Sequence, residues 1–94
     1  MDIRTVRHKG LLRFLEVDDP RGLSQDHVPR LRRILSALVS APNMKALEGP
    51  PGWRIHKLKG GQGSVWSISV SGNWRLTFRV DGQDIHDLDY EDYH

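Results

Sequence analysis

The chain has 94 residues and no cysteine, a length for one domain (1–94) with a single core and a composition that excludes disulfides and thiolate metal sites, as suits a reducing cytoplasm. Residues 1–10 are polar, and no apolar run approaches the roughly 20 residues needed to span a bilayer, so neither a signal peptide nor a membrane partner is expected. Net charge is only +2, but residues 41–80 carry six Lys/Arg against one acid, while residues 81–94 carry six acids and no Lys/Arg; the basic body suits a polyanion such as nucleic acid, or simply keeps a small domain soluble.

DIRTV (2–6) alternates β-branched residues and reads as a short first strand. HKGLLRFLEVDD then groups Leu11, Leu12, Phe14 and Leu15 at helical spacing, and DPRG (19–22) breaks that helix with turn chemistry. Ser24 is the expected N-cap of a second helix, with Asp26 in its first turn. Val28, Leu31, Ile34, Leu35, Leu38 and Val39 follow the i, i+3, i+4, i+7 rule and form its buried stripe. Arg30, Arg32 and Arg33 fall largely off the stripe, which alone describes a solvated helix face.

Three prolines and two glycines make residues 41–52 a loop. WRIHKLK (53–59) is a strand candidate, followed by the flexible turn KGGQG (59–63). SVWSISV (64–70) alternates Trp66, Ile68 and Val70 against Val65, Ser67 and Ser69. After a tight SGN turn, NWRLTFRV (73–80) places Trp74, Leu76, Phe78 and Val80 inward and Arg75, Thr77 and Arg79 outward. Asp81-Gly82 signals a hairpin into a last strand over 83–89. The order β-α-α-β-β-β-β predicts an α+β domain with the helices on one sheet face and a polar face opposite.

On that polar face the pattern collects Arg75 and Arg79 from one strand and Ser67 and Ser69 from its neighbour. If Trp53 and Ile55 point inward, Arg54 and His56 point outward, with Lys57 and Lys59 beside the Gly-rich turn. The terminal Tyr93 and His94 complete a set of cations and proton carriers suited to phosphate chemistry. A metal site is not expected: there is no His-x₃-His pair, and His86 and Asp87, adjacent on a strand, should face opposite ways. No serine sits in a Gly-x-Ser-x-Gly setting, and neither GPPG nor KGGQG is a phosphate-binding loop. Trp53, Trp66 and Trp74 fit the inward parity of their strands and read as core. From these patterns alone, a basic α+β domain with RNA among its candidate partners is the full extent of the reading.

The runs PGWRIHKLKG and WSISVSGNWRLTFR, with the closing DLDYEDYH, resemble the HigB toxins, a branch of the RelE/ParE superfamily of type II toxin–antitoxin systems. The SGNWR turn-strand and the DYxDYH ending are the most specific parts, and the likeness runs from RHKGLLRF to the last residue. It implies a RelE-like fold, two N-terminal helices on one face of a mostly antiparallel four- to five-stranded sheet. It also implies an mRNA interferase acting in the ribosomal A site, with no cofactor. The implied partners are a HigA-like helix-turn-helix antitoxin and the 70S ribosome carrying mRNA.

Carried over by motif, the active-site positions are His56, Lys59, Arg75, Asp92, Tyr93 and His94, with Lys57 a substitute for Lys59. In the implied mechanism the RNA 2′-OH attacks its own phosphate. His94 serves as base and His56 as acid, Arg75 and Lys59 hold the charge, and Tyr93 and Asp92 orient. Arg30, Arg32, Arg33, Lys57 and Arg79 would contact RNA or the ribosome. The acids Asp87, Asp89 and Glu91 have no role in this scheme beyond solubility or antitoxin contact. The alternatives are a non-catalytic ParE-like inhibitor of DNA gyrase and a plain RNA-binding module.

Overall fold

A computed structural model describes residues 1–58 and 65–92 of the chain. Its elements are β1 (Asp2–Ile3), α1 (Lys9–Val17), α2 (Val28–Ser40), β2 (His56–Lys57), β3 (Val65–Ser71), β4 (Trp74–Asp81) and β5 (Asp84–Asp92). The five strands form one sheet in the order β1-β5-β4-β3-β2. From β2 to β5 each strand is antiparallel to its neighbour, and β1 runs parallel to β5 at the edge. The expected α+β architecture is therefore present, with the helices following a first strand.

His8 caps α1 in an extended conformation, its Nδ1 accepting the Leu11 N–H at 3.1 Å. The helix ends where Asp18 turns left-handed (φ 55°). Gly10 inside α1 is a packing requirement, because a Cβ there would lie 2.6 Å from the Gly22 carbonyl oxygen. Leu11 and Phe14 are buried, whereas Leu12, expected on the same stripe, is exposed.

Ser24 is not the N-cap of α2. It precedes a 3₁₀ turn, Gln25–His27, and makes no side-chain cap bond. Pro29 supplies the reason: it has no N–H for the Gln25 carbonyl and its ring collides there, so regular helix cannot begin earlier. Leu31, Ile34, Leu35 and Leu38 form the buried stripe as expected, but Val39 is 55% exposed.

The two hairpins use two-residue loops opened by a glycine with positive φ, Gly72 (56°) and Gly82 (61°), the II′ pattern that matches strand twist. The strand expected over 53–59 shrinks to His56–Lys57. Trp53 belongs instead to a 3₁₀ turn, Pro51–Trp53, and Arg54 takes a left-handed conformation (φ 47°) that breaks the extended chain. The strand expected over 2–6 is likewise reduced to Asp2–Ile3 plus a bridge from Val6 to Leu88.

The cause of that interruption lies in β5. Thr77 pairs with Asp89 but Arg79 pairs with His86, so one extra β5 residue is accommodated in between. Asp87 is left-handed there (φ 55°), and its N–H is bonded to Thr5 Oγ1 at 2.7 Å instead of to a strand carbonyl.

One hydrophobic cluster joins Leu11 and Phe14 of α1, the α2 stripe, and Ile68, Leu76, Phe78, Ile85, Leu88 and Tyr90 of the sheet. Each fully buried leucine or isoleucine contributes about 1.5–3 kcal/mol. Trp53 is buried, while Trp66 and Trp74 are half-buried against the same cluster, so all three pack on the core as expected.

Candidate catalytic face of the sheet

Register defines the face opposite the helices. His56 pairs with Ser67, Ser67 with Thr77 and Thr77 with Asp89; Ser69 pairs with Arg75 and Arg75 with Glu91. These residues share one side of the sheet. His56 and Arg75 are thus separated by β3 and offset by two residues along it, about 12 Å between backbones. Ser67 lies between them and is 1% exposed, so this face is not uniformly open.

His56 is exposed, and its Nδ1 lies 2.7 Å from the Arg54 carbonyl oxygen. A carbonyl only accepts, so Nδ1 carries the proton, and in the neutral ring Nε2 is left as the acceptor. The left-handed backbone of Arg54 presents that carbonyl, a conformation unfavourable by about 1–2 kcal/mol for a residue with a Cβ. Local strain therefore fixes the ring's tautomer.

Lys57, next in sequence, pairs with Trp66 and so belongs to the other side of β2, its Nζ 6.0 Å from the Trp66 ring centroid. Asp92 pairs with Trp74 and by alternation shares the side of Tyr90, not that of Arg75. Lys59, Tyr93 and His94 lie outside the described residues.

The face is not simply cationic, as the charge distribution suggested. Arg79 Nε donates to Asp87 Oδ2 at 2.8 Å, and Arg7 Nε stands 3.8 Å from the same carboxylate. The Arg79 hydrogen bond holds the Asp87 carboxyl below its ordinary range, helped by the charges of Arg79, Arg7 and His86 and opposed by desolvation. Thr77 Oγ1 donates to Glu91 at 2.6 Å. Arg7, Thr77, Arg79, Asp87, Asp89 and Glu91 line a groove of about 660 Å³. His56, Arg75 and Asp92 do not line it.

The acids left without a role by the sequence are thus internal partners of this face. His86 and Asp87 do not face opposite ways, because the bulge sets both outside the core residues Ile85 and Leu88. The signal was present in the apolar spacing of Ile85, Leu88 and Tyr90, three residues and then two. Even so, among the described residues no three His, Asp or Glu side chains are arranged to hold a metal.

The helical arginines divide by what they touch. Arg30 donates to the Val70 carbonyl at 2.5 Å and ties α2 to β3. Arg32 bonds Asp18 at 2.6 Å and lies over the Phe14 ring at 4.8 Å. Arg33 is exposed, and its side chain makes no hydrogen bond or ion pair among the described residues.

A second cluster was not anticipated from the sequence. Tyr90 is 4% exposed and its hydroxyl lies 2.5 Å from His27 Nδ1. Its ring stacks on Trp74 (centroids 4.5 Å apart) and meets His8 edge-on at 5.2 Å. Burial raises the Tyr90 pKa, and a Ser24 backbone hydrogen bond opposes that shift.

The fold and the polar sheet face define a small α+β protein with a charged groove on the open side of its sheet. A family model described as the RelE-like toxin of type II toxin–antitoxin system HigB matches residues 4–94. Over 92 residues the chain is 36% identical to endoribonuclease HigB of Proteus vulgaris, an alignment covering 98% of this chain and 99% of that protein. The chain belongs to the HigB-like, RelE-like toxins of type II toxin–antitoxin systems. An antitoxin partner follows from that membership. No helix among the described residues is long and apolar enough to cross a membrane.

Proposed function

We propose that this toxin is an endoribonuclease that cuts mRNA in the A site of the 70S ribosome and acts in the cytoplasm. The observation that carries the reading is the near end-to-end similarity to a protein named as an endoribonuclease. The match is to the HigB branch, which sets aside the gyrase-binding alternative. The inhibitory partner is a HigA-like helix-turn-helix antitoxin.

RNA supplies its own nucleophile. The 2′-oxygen bonds to phosphorus as the P–O5′ bond breaks, leaving a cyclic phosphate and a free 5′-hydroxyl. One side chain takes the 2′ proton and another returns a proton to O5′. His94 is the base and His56 the acid, with Lys59 and Arg75 neutralising the developing charge, and Asp92 and Tyr93 orienting the RNA and His94. With Nδ1 bonded to the Arg54 carbonyl, His56 acts as the acid in its imidazolium form, donating from Nε2.

Arg33 has the freest guanidinium for ribosomal RNA phosphates, whereas Arg30, Arg32 and Arg79 contribute through protein contacts as well, and Lys57 from the Trp66 side of its strand.

The test is purified toxin with translating ribosomes and mapping of mRNA 5′ ends. Arg75→Ala should lower single-turnover cleavage by roughly 10²–10³-fold, and His94→Gln should abolish the acidic limb of the pH–rate profile. Cleavage persisting at the wild-type rate in both variants would refute this assignment.

A further inference from the structure

β5 is a central strand along only part of its length. β1 pairs with Asp84 and Ile85, and the last contacts from that side are the Val6–Leu88 bridge and the Arg7 N–H on the Leu88 carbonyl at 2.8 Å. From Asp89 to Asp92 the strand has β4 as its only strand neighbour among the described residues. Glu91 and Asp92 are exposed, so Tyr90 is the one buried side chain in that stretch.

Tyr90 is also unusual chemistry for its position. A phenylalanine would fill the same apolar space, whereas a buried hydroxyl is unfavourable unless bonded. Here it is bonded: its oxygen lies 2.5 Å from His27 Nδ1. The phenol and the imidazole nitrogen satisfy one another across this contact. His27 closes the 3₁₀ turn that leads into α2, and His8, which touches the Tyr90 ring, caps α1. Both helices therefore hold this single side chain.

The ring stack continues to Trp74, on the same side of the sheet and next in sequence to Arg75. Trp74 lies on Tyr90 and within 5.7 Å of His27. It directly precedes Arg75 and is the cross-strand partner of Asp92. We propose that the buried Tyr90–His27 pair is a positioning element for RNA cleavage, holding from the helix side the end of β5 that bears Asp92 and the start of β4 that bears Arg75. The inference rests on the proposed cleavage reaction; neither residue touches RNA.

The experiment compares wild type, Tyr90→Phe, His27→Ala, His27→Asn and the double variant Tyr90→Phe/His27→Ala on programmed ribosomes. Ribosome affinity, single-turnover rate at saturation and Tm are read for each. Ile34→Val, a core change in α2, provides a reference for stability loss alone. Tyr90→Phe and His27→Ala should each lower the saturated rate about tenfold with affinity unchanged. The double variant should lose no more than either single one, as expected for groups acting as a unit. His27→Asn, whose amide can accept from or donate to the phenol, should recover most of the rate.

Should Tyr90→Phe fail to fold, the His27→Ala and His27→Asn pair decides by the same rescue. Rates falling no further than in Ile34→Val, additive losses in the double variant, or no rescue by asparagine would overturn the proposal. Absence of cleavage by the wild-type protein would instead refute the proposed function.

Discussion

The two faces of β5 each carry a well-formed polar pair, and they teach different lessons. On the helix side the Tyr90 hydroxyl meets His27 at 2.5 Å in a site closed to water. On the open side Asp87 meets Arg79 at 2.8 Å with both side chains partly exposed. The geometries are comparable, but the alternatives are not. Separated, Asp87 and Arg79 regain water, whereas the buried pair loses its bond without gaining water in exchange. The buried contact therefore constrains the strand, and the exposed one mainly shapes the charge of the groove.

The comparison is sharpened most by removing the packing beneath it. Leu88, fully buried between the bulge and Tyr90, should cost about 2–5 kcal/mol on Leu88→Ala, read as a urea midpoint shift at constant m. Next in size, Tyr90→Phe should cost about 1–3 kcal/mol by leaving His27 Nδ1 without its partner. A cost near zero would make the two faces equivalent and break the comparison.

Asp87→Asn should shift the midpoint less than either, and 1 M salt should erase the difference from wild type while leaving the Tyr90→Phe deficit intact. The smallest effect is on acid sensitivity. Because the folded Asp87 carboxyl is held below its unfolded value of about 3.9, its contribution is present above that pH. It is lost as pH falls through the lowered folded value. Wild type should therefore lose more stability on acidification than Asp87→Asn, in urea melts at stepped pH.

Much of this architecture can be read from residue patterns because local rules and the fold agree. The α2 stripe, the Gly72 and Gly82 hairpins and the alternation of β4 need only periodicity and turn chemistry. Reading fails where one residue changes parity. A single left-handed Asp87 reverses which β5 residues face outward, and no propensity assigns φ > 0 to an aspartate within a strand. Arg54 does the same to the segment before His56.

The outward set of His56, Arg75 and Arg79 on the polar sheet face was visible in advance. The Tyr90–His27 bond joins residues 63 apart in sequence, and nothing local announces it. The acids of the last strand looked like tail composition until register placed them beside Thr77 and Arg79.

The parallel pairing of β1 with β5 has a consequence for how the toxin is made. Asp2 meets Asp84, so the edge strand has no partner until nearly all of the chain has been synthesised. Strand β5 also separates β1 from β4, and the sheet lacks this inner strand until then. Closing a loop of that length is slow relative to local hairpin formation, and ribosomes deliver only about 5–20 residues per second. The ribosome that makes this toxin therefore handles an unassembled chain for most of its synthesis.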